Sequence, residues 1–244
     1  MLLMILAIAN QKGGTAKSTT AAALAQAAAR RGSRTLAVDL DPQGNLSFFL
    51  GADTGRAGAF EIMEGKPAAA VIQRAHGEPD VIAASWNLQT VSSGRGSAHR
   101  LRAALEPVKG EYDLILLDTP PTAGELQYNA LMACDRLIIP LQADIVGLQG
   151  LYQMHDTARQ IQQSNQGLKI AGYILTRHND RSTLSRQMAA TIERRASELG
   201  IDCLGVIREA VAIREAQTLQ CSLYEYAPNS KPAMDYMGIL TKLQ

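Results

Sequence analysis

Short apolar runs alternate with helix-length segments along most of this chain. Several of the runs are apolar at nearly every position, which is typical of strands that are covered on both faces. Strands that alternate with helices indicate βαβ units around a mostly parallel sheet. The 244 residues are 46% hydrophobic, which is enough for one sizeable core. We therefore expect an α/β fold of one domain over residues 1–244, with a doubly wound sheet and helices on both of its faces.

The predicted elements follow from these runs and from the helical spacing between them. Strands are predicted at residues 3–9, 35–39, 114–118, 136–140, 169–176 and 201–207. Helices are predicted at residues 17–31, 98–105, 124–133, 144–164, 184–199 and 231–240. Residues 51–96 have scattered glycines and weak periodicity, so we expect short helices and one or two strands there.

Charge, cysteine content and hydropathy exclude several classes of protein. Lysine and arginine number 24 against 23 acids, so any basic patch must be made by folding. Cys134, Cys203 and Cys221 form no C-x-x-C pair, which favours a reducing cytoplasm over a disulfide, zinc or redox site. The apolar start lacks a basic leader and a cleavage site, and we interpret it as a buried strand. No apolar run approaches the roughly 20 residues that span a bilayer.

The loop N-Q-K-G-G-T-A-K-S-T-T, residues 10–20, joins the first predicted strand to the first predicted helix. A glycine-rich loop in this position directs backbone N–H groups to one point at the positive end of the helix, which makes a phosphate site. Gly13 and Gly14 permit that backbone path. Lys17 can reach the β and γ phosphates, and Ser18 has the hydroxyl that such loops give to magnesium. The alternative is a solvated turn with incidental lysines.

The loop departs from the usual pattern G-x-x-x-x-G-K-[ST], because Gln11 and Ala16 occupy its glycine positions. It resembles instead the deviant Walker A loop of the ParA/MinD family of ATPases, typically K-G-G-x-G-K-[ST]-T. This resemblance implies a P-loop NTPase fold in which ATP is bound by Lys12, Gly13, Gly14, Thr15, Ala16, Lys17, Ser18 and Thr19. It also implies that Lys17 serves the ATP of its own subunit, whereas Lys12 crosses to the other ATP of a homodimer. If the backbone of Ala16 must be left-handed, its methyl group costs roughly 1–2 kcal/mol.

Two further segments carry the resemblance. V-D-L-D-P-Q-G-N, residues 38–45, places two carboxylates at the carboxyl end of a predicted strand, where ligands of open α/β sheets bind. Y-D-L-I-L-L-D-T-P-P, residues 112–121, ends an apolar strand in an acid that is costly to bury unless it faces a cation or donors. Simpler interpretations are turn residues and a helix N-cap. The resemblance implies that Lys12, Lys17 and Asp41 are catalytic, and that Asp41 orients the attacking water. It also implies that Asp39 and the Walker B acid Asp118 serve magnesium.

The run I-I-P-L-Q-A-D-I-V-G-L-Q-G-L, residues 138–151, narrows the resemblance to the ParA (Soj-like) partition ATPases. Residues 206–236 resemble the closing strand, loop and last helix of those proteins. The likeness implies slow ATP hydrolysis to ADP and phosphate by a homodimer that binds DNA non-specifically and segregates plasmid or chromosomal DNA. A centromere-binding partner protein would stimulate hydrolysis. We expect a cytoplasmic, nucleoid-associated protein of the small type, without an operator-binding domain before the first strand.

Basic side chains in the last third of the chain are candidates for two roles. Relatives often have arginine at the positions of Glu209, Ala212 and Asn229. The remaining candidates for DNA contact are Arg181, Arg214 and Lys231. Arg177 and Arg208 follow the last two predicted strands, where relatives bind adenine, and are candidates for ATP binding. Partition relatives often have proline at the position of Arg208.

Other functions stay open at this point. The same ATPase cycle could position a protein cargo, such as a carboxysome or a conjugation or chemoreceptor assembly, through a cargo-adaptor protein. A MinD-like membrane regulator needs a basic amphipathic C-terminal helix, but residues 234–244 contain one lysine, so we expect no membrane partner. A metabolic P-loop enzyme shares the fold. The missing paired cysteines argue against an iron–sulfur reductase, and D-L-D-P-Q-G-N argues against a dethiobiotin-synthetase-like ligase.

Overall fold

The computed structural model describes residues 3–92, 97–179 and 181–243. Strands β1 to β7 are Met4–Ile8, Thr35–Asp39, Asp80–Ile82, Leu114–Asp118, Arg136–Leu141, Lys169–His178 and Cys203–Arg208. Helices α1 to α10 are Lys17–Arg30, Asn45–Phe49, Ala59–Met63, Arg100–Leu105, Glu125–Ala133, Ile145–Ile161, Thr183–Glu198, Val211–Thr218, Leu223–Tyr226 and Lys231–Leu243. Short 3-10 helices are Ala68–Ala70, Trp86–Thr90, Ser97–His99 and Lys109–Glu111.

The strands form one sheet in the order β3-β2-β4-β1-β5-β6-β7, and the paired strands of this sheet are parallel. The pairing register places Asp118 of β4 beside Ile8 of β1 on one side and beside Asp39 of β2 on the other. The carboxyl ends of these three strands therefore lie next to one another. This edge is where open α/β sheets bind their ligands.

Helices cover both faces of the sheet, as the sequence predicts. Successive side chains of β1 point to opposite faces, so Leu6 and Ile8 belong to one core cluster and Ala7 to the other. The first cluster includes residues of α1, α8, α9 and α10. The second includes residues of α3, α4, α5, α6 and α7. The α/β, doubly wound architecture is confirmed.

Helix α1 lies close to the middle of the sheet because its buried face is made largely of alanine. Its sequence K-S-T-T-A-A-A-L-A-Q-A-A-A-R buries Leu24 and most of the alanines, and the helix contacts β1, β2 and β4. Small side chains allow a helix axis to approach a sheet closely. The first residue of α1, Lys17, is consequently held above the carboxyl ends of these strands.

The structure departs from the sequence prediction mainly in short elements. The six predicted strands are present. Those at residues 35–39 and 114–118 have the predicted ends, and the other four have shifted ends. Strand β3 lies within residues 51–96, as expected. Residues 93–96 of that segment lie outside the described residues. The prediction of a loop between the closing strand and the last helix is wrong, because α8 and α9 occupy that stretch. Helix α8 forms because Ala216 is buried and Ile213 packs partly against the same core cluster as α1. Among the residues that the structure describes, no helix is long and apolar enough to cross a membrane.

Candidate functional site

The loop between β1 and α1 begins at a buried asparagine. The side chain of Asn10 donates a hydrogen bond from Nδ2 to the backbone oxygen of Pro140, at 2.8 Å, and Oδ1 accepts one from the backbone N–H of Lys12, at 3.0 Å. Gly150 of α6 approaches this side chain so closely that a Cβ there would lie 2.8 Å from Oδ1. The start of the loop is therefore fixed from β5 and α6.

Two side chains from neighbouring strands hold the middle of the loop. Gln142, after β5, donates from Nε2 to the backbone oxygen of Gly14 at 2.9 Å. Thr176 of β6 donates from Oγ1 to the backbone oxygen of Thr15 at 3.2 Å. The carbonyl groups of Gly14 and Thr15 are therefore held by side chains from outside the loop.

The loop backbone is left-handed at two positions. Gly14 has φ +75°, and Ala16, which caps the N-terminus of α1, has φ +65° and ψ +34°. A left-handed residue costs roughly 1–2 kcal/mol when it carries a Cβ, and glycine avoids that cost. The strain expected at Ala16 is therefore present in the structure.

The two lysines of the loop lie in different environments. The side chain of Lys17 is buried, and its Nζ donates to the backbone oxygen of Lys12 at 3.1 Å. Burial lowers the pKa of Lys17, and the nearby carboxylates of Asp118 and Asp41 oppose that shift. The side chain of Lys12 is only half-buried, and its ammonium group contacts no hydrogen-bond or ion-pair partner within the described residues. The ammonium group of Lys17 thus lies inside the site, whereas that of Lys12 is free to bind another group at the edge of the site.

Asp118 is fully buried at the end of β4, below the loop. Neither of its carboxylate oxygens has a hydrogen-bond partner in the part of the chain that the structure describes. Burial raises the pKa of Asp118 well above its ordinary range, and the neighbouring Asp39 raises it further. The Ser18 hydroxyl and the Lys17 ammonium group are near enough to lower this pKa in part, although neither makes a hydrogen bond to the carboxylate in the described residues. A buried carboxylate without partners is a position at which a cation would be strongly stabilising.

Asp39 at the end of β2 is also buried, but its oxygens are bonded. Its Oδ1 accepts from the backbone N–H of Asp41 at 3.1 Å, and its Oδ2 accepts from the backbone N–H and the hydroxyl of Ser47, at 2.8 and 2.7 Å. The same hydroxyl accepts from the N–H of Ala84, at 2.9 Å. Burial raises the pKa of Asp39 to about 6, although these hydrogen bonds lower it. Asp39 therefore fixes the loop that carries Asp41.

Asp41 lies one turn beyond Asp39 and is buried at the edge of the site. Its Oδ1 accepts from the backbone N–H of Gln43 at 3.0 Å, and the turn closes through a bond from the N–H of Gly44 to its backbone oxygen, at 2.8 Å. Lys17 is near enough for its pKa to respond to this carboxylate. The structure thus brings Lys17, Asp41 and Asp118 together, as the sequence predicts.

A cavity of about 110 Å³ adjoins the loop on the side of β6 and β7. Its lining includes Ala16, Thr19, Arg177, Arg208, Arg214 and Tyr236. Arg177 has a left-handed backbone, with φ +50°, which is uncommon for a residue with a side chain. Arg177 and Arg208, the candidates for ATP binding, are therefore both at this cavity. Arg214, a candidate for DNA contact, lines the same cavity, whereas Arg181 and Lys231 lie exposed outside it.

Arg208 is held by a carboxylate of the last helix. Its Nε donates to Oδ2 of Asp235 at 3.0 Å, its Nη2 bonds to Oδ1, and its backbone N–H bonds to Oδ2 at 3.3 Å. Tyr236, the next residue of α10, is fully buried, and its hydroxyl lies 3.3 Å from Oγ1 of Thr20 in α1. The last helix is therefore bonded to both sides of the cavity.

Several of these residues were not singled out from the sequence. Asn10 carries a usable signal, because it is a polar residue at the end of a buried strand and directly before a glycine loop. Thr176 and Asp235 carry none, since they lie 161 and 27 positions along the chain from the groups that they bind. Ser47 is eight positions from Asp39, but nothing in the sequence marks it as the partner of that carboxylate.

Comparisons with known proteins agree with this geometry. The family model described as an AAA domain matches residues 3–170. The chromosome-partitioning ATPase Soj of Thermus thermophilus is 34% identical over 238 residues, covering 95% of this chain and 91% of that protein. The chromosome partitioning protein ParA of Caulobacter vibrioides is 36% identical over 225 residues, covering 88% of this chain and 84% of that protein.

A solved structure with bound ligands shares the fold. It is cobyrinic acid a,c-diamide synthase from Mycobacterium smegmatis with a bound ATP analogue and magnesium, with a TM-score of 0.81 and 30% identity. The match covers 99% of this chain and 94% of that one. The chain therefore belongs to the ParA and Soj family of P-loop ATPases.

Proposed function

We propose that the protein is a DNA-partition ATPase that dimerises with ATP, binds DNA non-specifically as a dimer, and leaves DNA when a partner protein stimulates hydrolysis. The observation that carries the proposal is the Lys12 ammonium group, which has no hydrogen-bond or ion-pair partner within the described residues. The other lysine of the loop, Lys17, is already bonded inside the site. The identity of 34% to Soj and 36% to ParA supports partition rather than another use of the same chemistry.

The triphosphate of ATP is bound by the N–H groups of Gly13, Gly14 and the following loop residues, together with the Lys17 ammonium group. The helix α1 begins at this point, so its positive end faces the phosphates. The adenine base enters the neighbouring cavity, beside Thr19 and between Arg177 and Arg208. This placement is supported by the continuity of the cavity with the loop, since Ala16 lines both.

The residues at the bottom of the site fit a magnesium ion. Mg²⁺ prefers hard oxygen ligands, and the Ser18 hydroxyl and the unpartnered Asp118 carboxylate supply them. Magnesium, when bound with ATP, neutralises charge on the β and γ phosphates. Asp39 supports this site indirectly, since its oxygens are bonded to Ser47 and to the backbone of Asp41.

Hydrolysis is in-line transfer of the γ-phosphoryl group to water, and positioning supplies most of the catalysis. Asp41 orients that water, because the N–H of Gln43 binds one carboxylate oxygen and fixes the group at the edge of the site. Lys17 stabilises the charge that develops on the transferred group. Lys12 completes the second site of a homodimer by reaching across to the partner subunit's nucleotide.

Variants of these residues separate the roles. Lys17→Ala is expected to abolish ATP binding. Lys12→Ala is expected to leave ATP binding intact and to abolish the ATP-dependent dimer, as measured by light scattering. Asp41→Ala is expected to trap that dimer because hydrolysis is lost. A Lys12→Ala protein that still dimerises with ATP would contradict the cross-subunit role.

DNA binding rests on exposed cations that a dimer presents twice. Arg181 and Lys231 are exposed, and neither lines the nucleotide cavity. Non-specific affinity for DNA grows with each phosphate that is neutralised, so a dimer that presents these cations twice binds DNA more tightly than a monomer. Arg214 lines the nucleotide cavity, so a DNA contact at Arg214 would couple DNA binding to nucleotide binding.

The deciding experiment measures binding to random-sequence duplex DNA with ATP, with ADP and without nucleotide, across a salt series. ATP-dependent binding that weakens with salt is expected, and Arg181→Ala and Lys231→Ala each reduce the salt slope by about 1 per subunit. Arg56→Ala, which changes another exposed arginine, is the matched control. Failure to bind DNA in every state, with ATP dimerisation intact, would exclude the DNA role and would direct the search to a protein or membrane surface. An ATPase rate that depends on a small metabolite and not on DNA would favour a metabolic enzyme.

A further inference from the structure

We infer that Asp235 is a positioning residue for the nucleotide base, because it holds Arg208 as a wall of the cavity beside the phosphate loop. The inference rests on the proposed ATP site and adds to it a residue of the last helix. The carboxylate of Asp235 is bonded to Arg208. Its effect is transmitted through Arg208, which lines the cavity.

The contact between the two side chains is of the forked kind. Both nitrogens that face Asp235, Nε and Nη2, bond to different carboxylate oxygens, and the backbone N–H of Arg208 adds a third bond. Asp235 keeps only 13% of its side-chain surface exposed, and Arg208 keeps 37%. Forked arginine–carboxylate pairs fix the plane of the guanidinium group as well as its position.

The helix that carries Asp235 is itself anchored at the cavity. The neighbouring residue Tyr236 is fully buried, lines the same cavity and lies within hydrogen-bond distance of Thr20 in α1. At the other end of α10, Lys242 donates from Nζ to the backbone oxygen of Leu204 in β7, at 2.8 Å. Asp235 is therefore held between α1 and β7, which are the two sides of the cavity.

A guanidinium group that is held in one plane can stack on the face of a purine base. Arginine stacks on aromatic faces because its cation is planar and weakly hydrated, whereas lysine offers a strongly hydrated point charge. The pairing also balances the charge of Arg208, so this arginine contributes little to neutralising DNA phosphates. The geometry thus assigns Arg208 to the base of ATP, and Asp235 to the orientation of Arg208.

The test compares two ligands that differ in the base. Binding of Mg·ATP and of Mg·tripolyphosphate, which has the phosphates but no base, is measured by calorimetry for the full chain. Asp235→Asn is expected to weaken ATP binding about tenfold and to leave tripolyphosphate binding within about twofold. Asp235→Glu, which restores a carboxylate, is expected to recover part of the loss.

Two further variants keep the test decisive. Arg208→Lys keeps the charge but not the plane, and it is expected to lower ATP binding as Asp235→Asn does. Glu198→Gln breaks another arginine–carboxylate pair, with Arg195 at 2.9 Å, in residues that do not line the cavity, and it is expected to change neither ligand.

The outcomes separate the inference from the proposed function. Asp235→Asn and Arg208→Lys proteins that bind ATP as wild type does, or that lose both ligands equally, would overturn the positioning role alone. Wild-type protein that binds neither ligand would overturn the proposed ATP site and the inference with it. A selective loss of ATP binding in both variants would support the inference.

Discussion

Replacing Ala16 by glycine tests how much strain the phosphate loop contains. The residue has φ +65°, a conformation that costs roughly 1–2 kcal/mol with a Cβ and almost nothing without one. Glycine also makes the unfolded chain more flexible, which removes about 0.4–1 kcal/mol of that gain. The expected net increase in the free energy of unfolding is about 0.5–1 kcal/mol. For a chain of this size, that corresponds to a rise in Tm of about 1–4 °C.

The opposite substitution nearby gives the matching measurement. Gly14 has φ +75°, and a Cβ built there would meet no atom within 4 Å, so Gly14→Ala changes the backbone cost alone. We expect it to lower the free energy of unfolding by about the same 0.5–1 kcal/mol. Gln220, with φ +51° after α8, is a left-handed residue outside the loop, and Gln220→Gly is the control. This change also removes an exposed hydrogen bond from Nε2 to the backbone oxygen of Phe48, at 2.9 Å.

The assay is urea or thermal unfolding of the nucleotide-free protein, with ATP affinity measured in parallel. Because the loop is already left-handed in the structure, the change should appear mainly in stability, with ATP affinity within about threefold of wild type. If Gln220→Gly raises the Tm while Ala16→Gly leaves it unchanged or lowers it, the assignment of strain to Ala16 is refuted.

Three other substitutions test the site. Burial raises the pKa of Asp118, so the folded protein binds a proton more tightly than the unfolded chain, and its stability falls as the pH rises from the unfolded-state pKa of about 4 through the folded-state pKa. Asp118→Asn should therefore increase the free energy of unfolding of the nucleotide-free protein by about 1–3 kcal/mol at pH 8, and by less at pH 5. Urea titrations at the two pH values measure this difference, and an equal gain at both would contradict the reasoning. Ser47→Ala should lower the free energy of unfolding by about 1–3 kcal/mol, because it removes the hydroxyl that joins the loop after β2 to the segment after β3. A smaller loss of stability would show that this bridge is unimportant. Gly150→Ala should weaken ATP binding about tenfold, because its Cβ displaces Asn10 at the start of the loop. The control Gly110→Ala places its Cβ in open space and should leave ATP binding unchanged. Equal ATP affinities of the two variants would rule out that displacement.

The strands and the phosphate loop could be predicted because their signals are local. Leu114–Asp118 is buried along its whole length, so it reads as an apolar run that ends in an acid. The loop is recognisable from Lys12, Gly13, Gly14 and Lys17, because these residues lie close together between an apolar run and a helix-length segment. The α/β class follows from the alternation of such runs with helix-length segments, and the family from the loop together with residues 38–45, 112–121 and 138–151.

Contacts between distant segments could not be predicted in the same way. The pair of Arg208 and Asp235 depends on where α10 crosses β7, and nothing in either segment indicates that crossing. The bridge through Ser47 depends on β2 and β3 being neighbours in the sheet. Helix α8 is only eight residues long, so its apolar positions give too few repeats to distinguish a helix from a loop.

The hydrogen bonds that Gln142 and Thr176 make to the loop carbonyls have a consequence for how such a sequence can change over time. These two side chains lie 128 and 161 positions from the loop residues that they bind. Part of the information for the loop's shape is therefore stored outside the motif, in the ends of β5 and β6. A loop supported in this way can lose one of its usual glycines, as at position 16, and keep its form. Transplanting residues 10–20 alone into an unrelated strand–helix junction would transfer the motif without the support that shapes it.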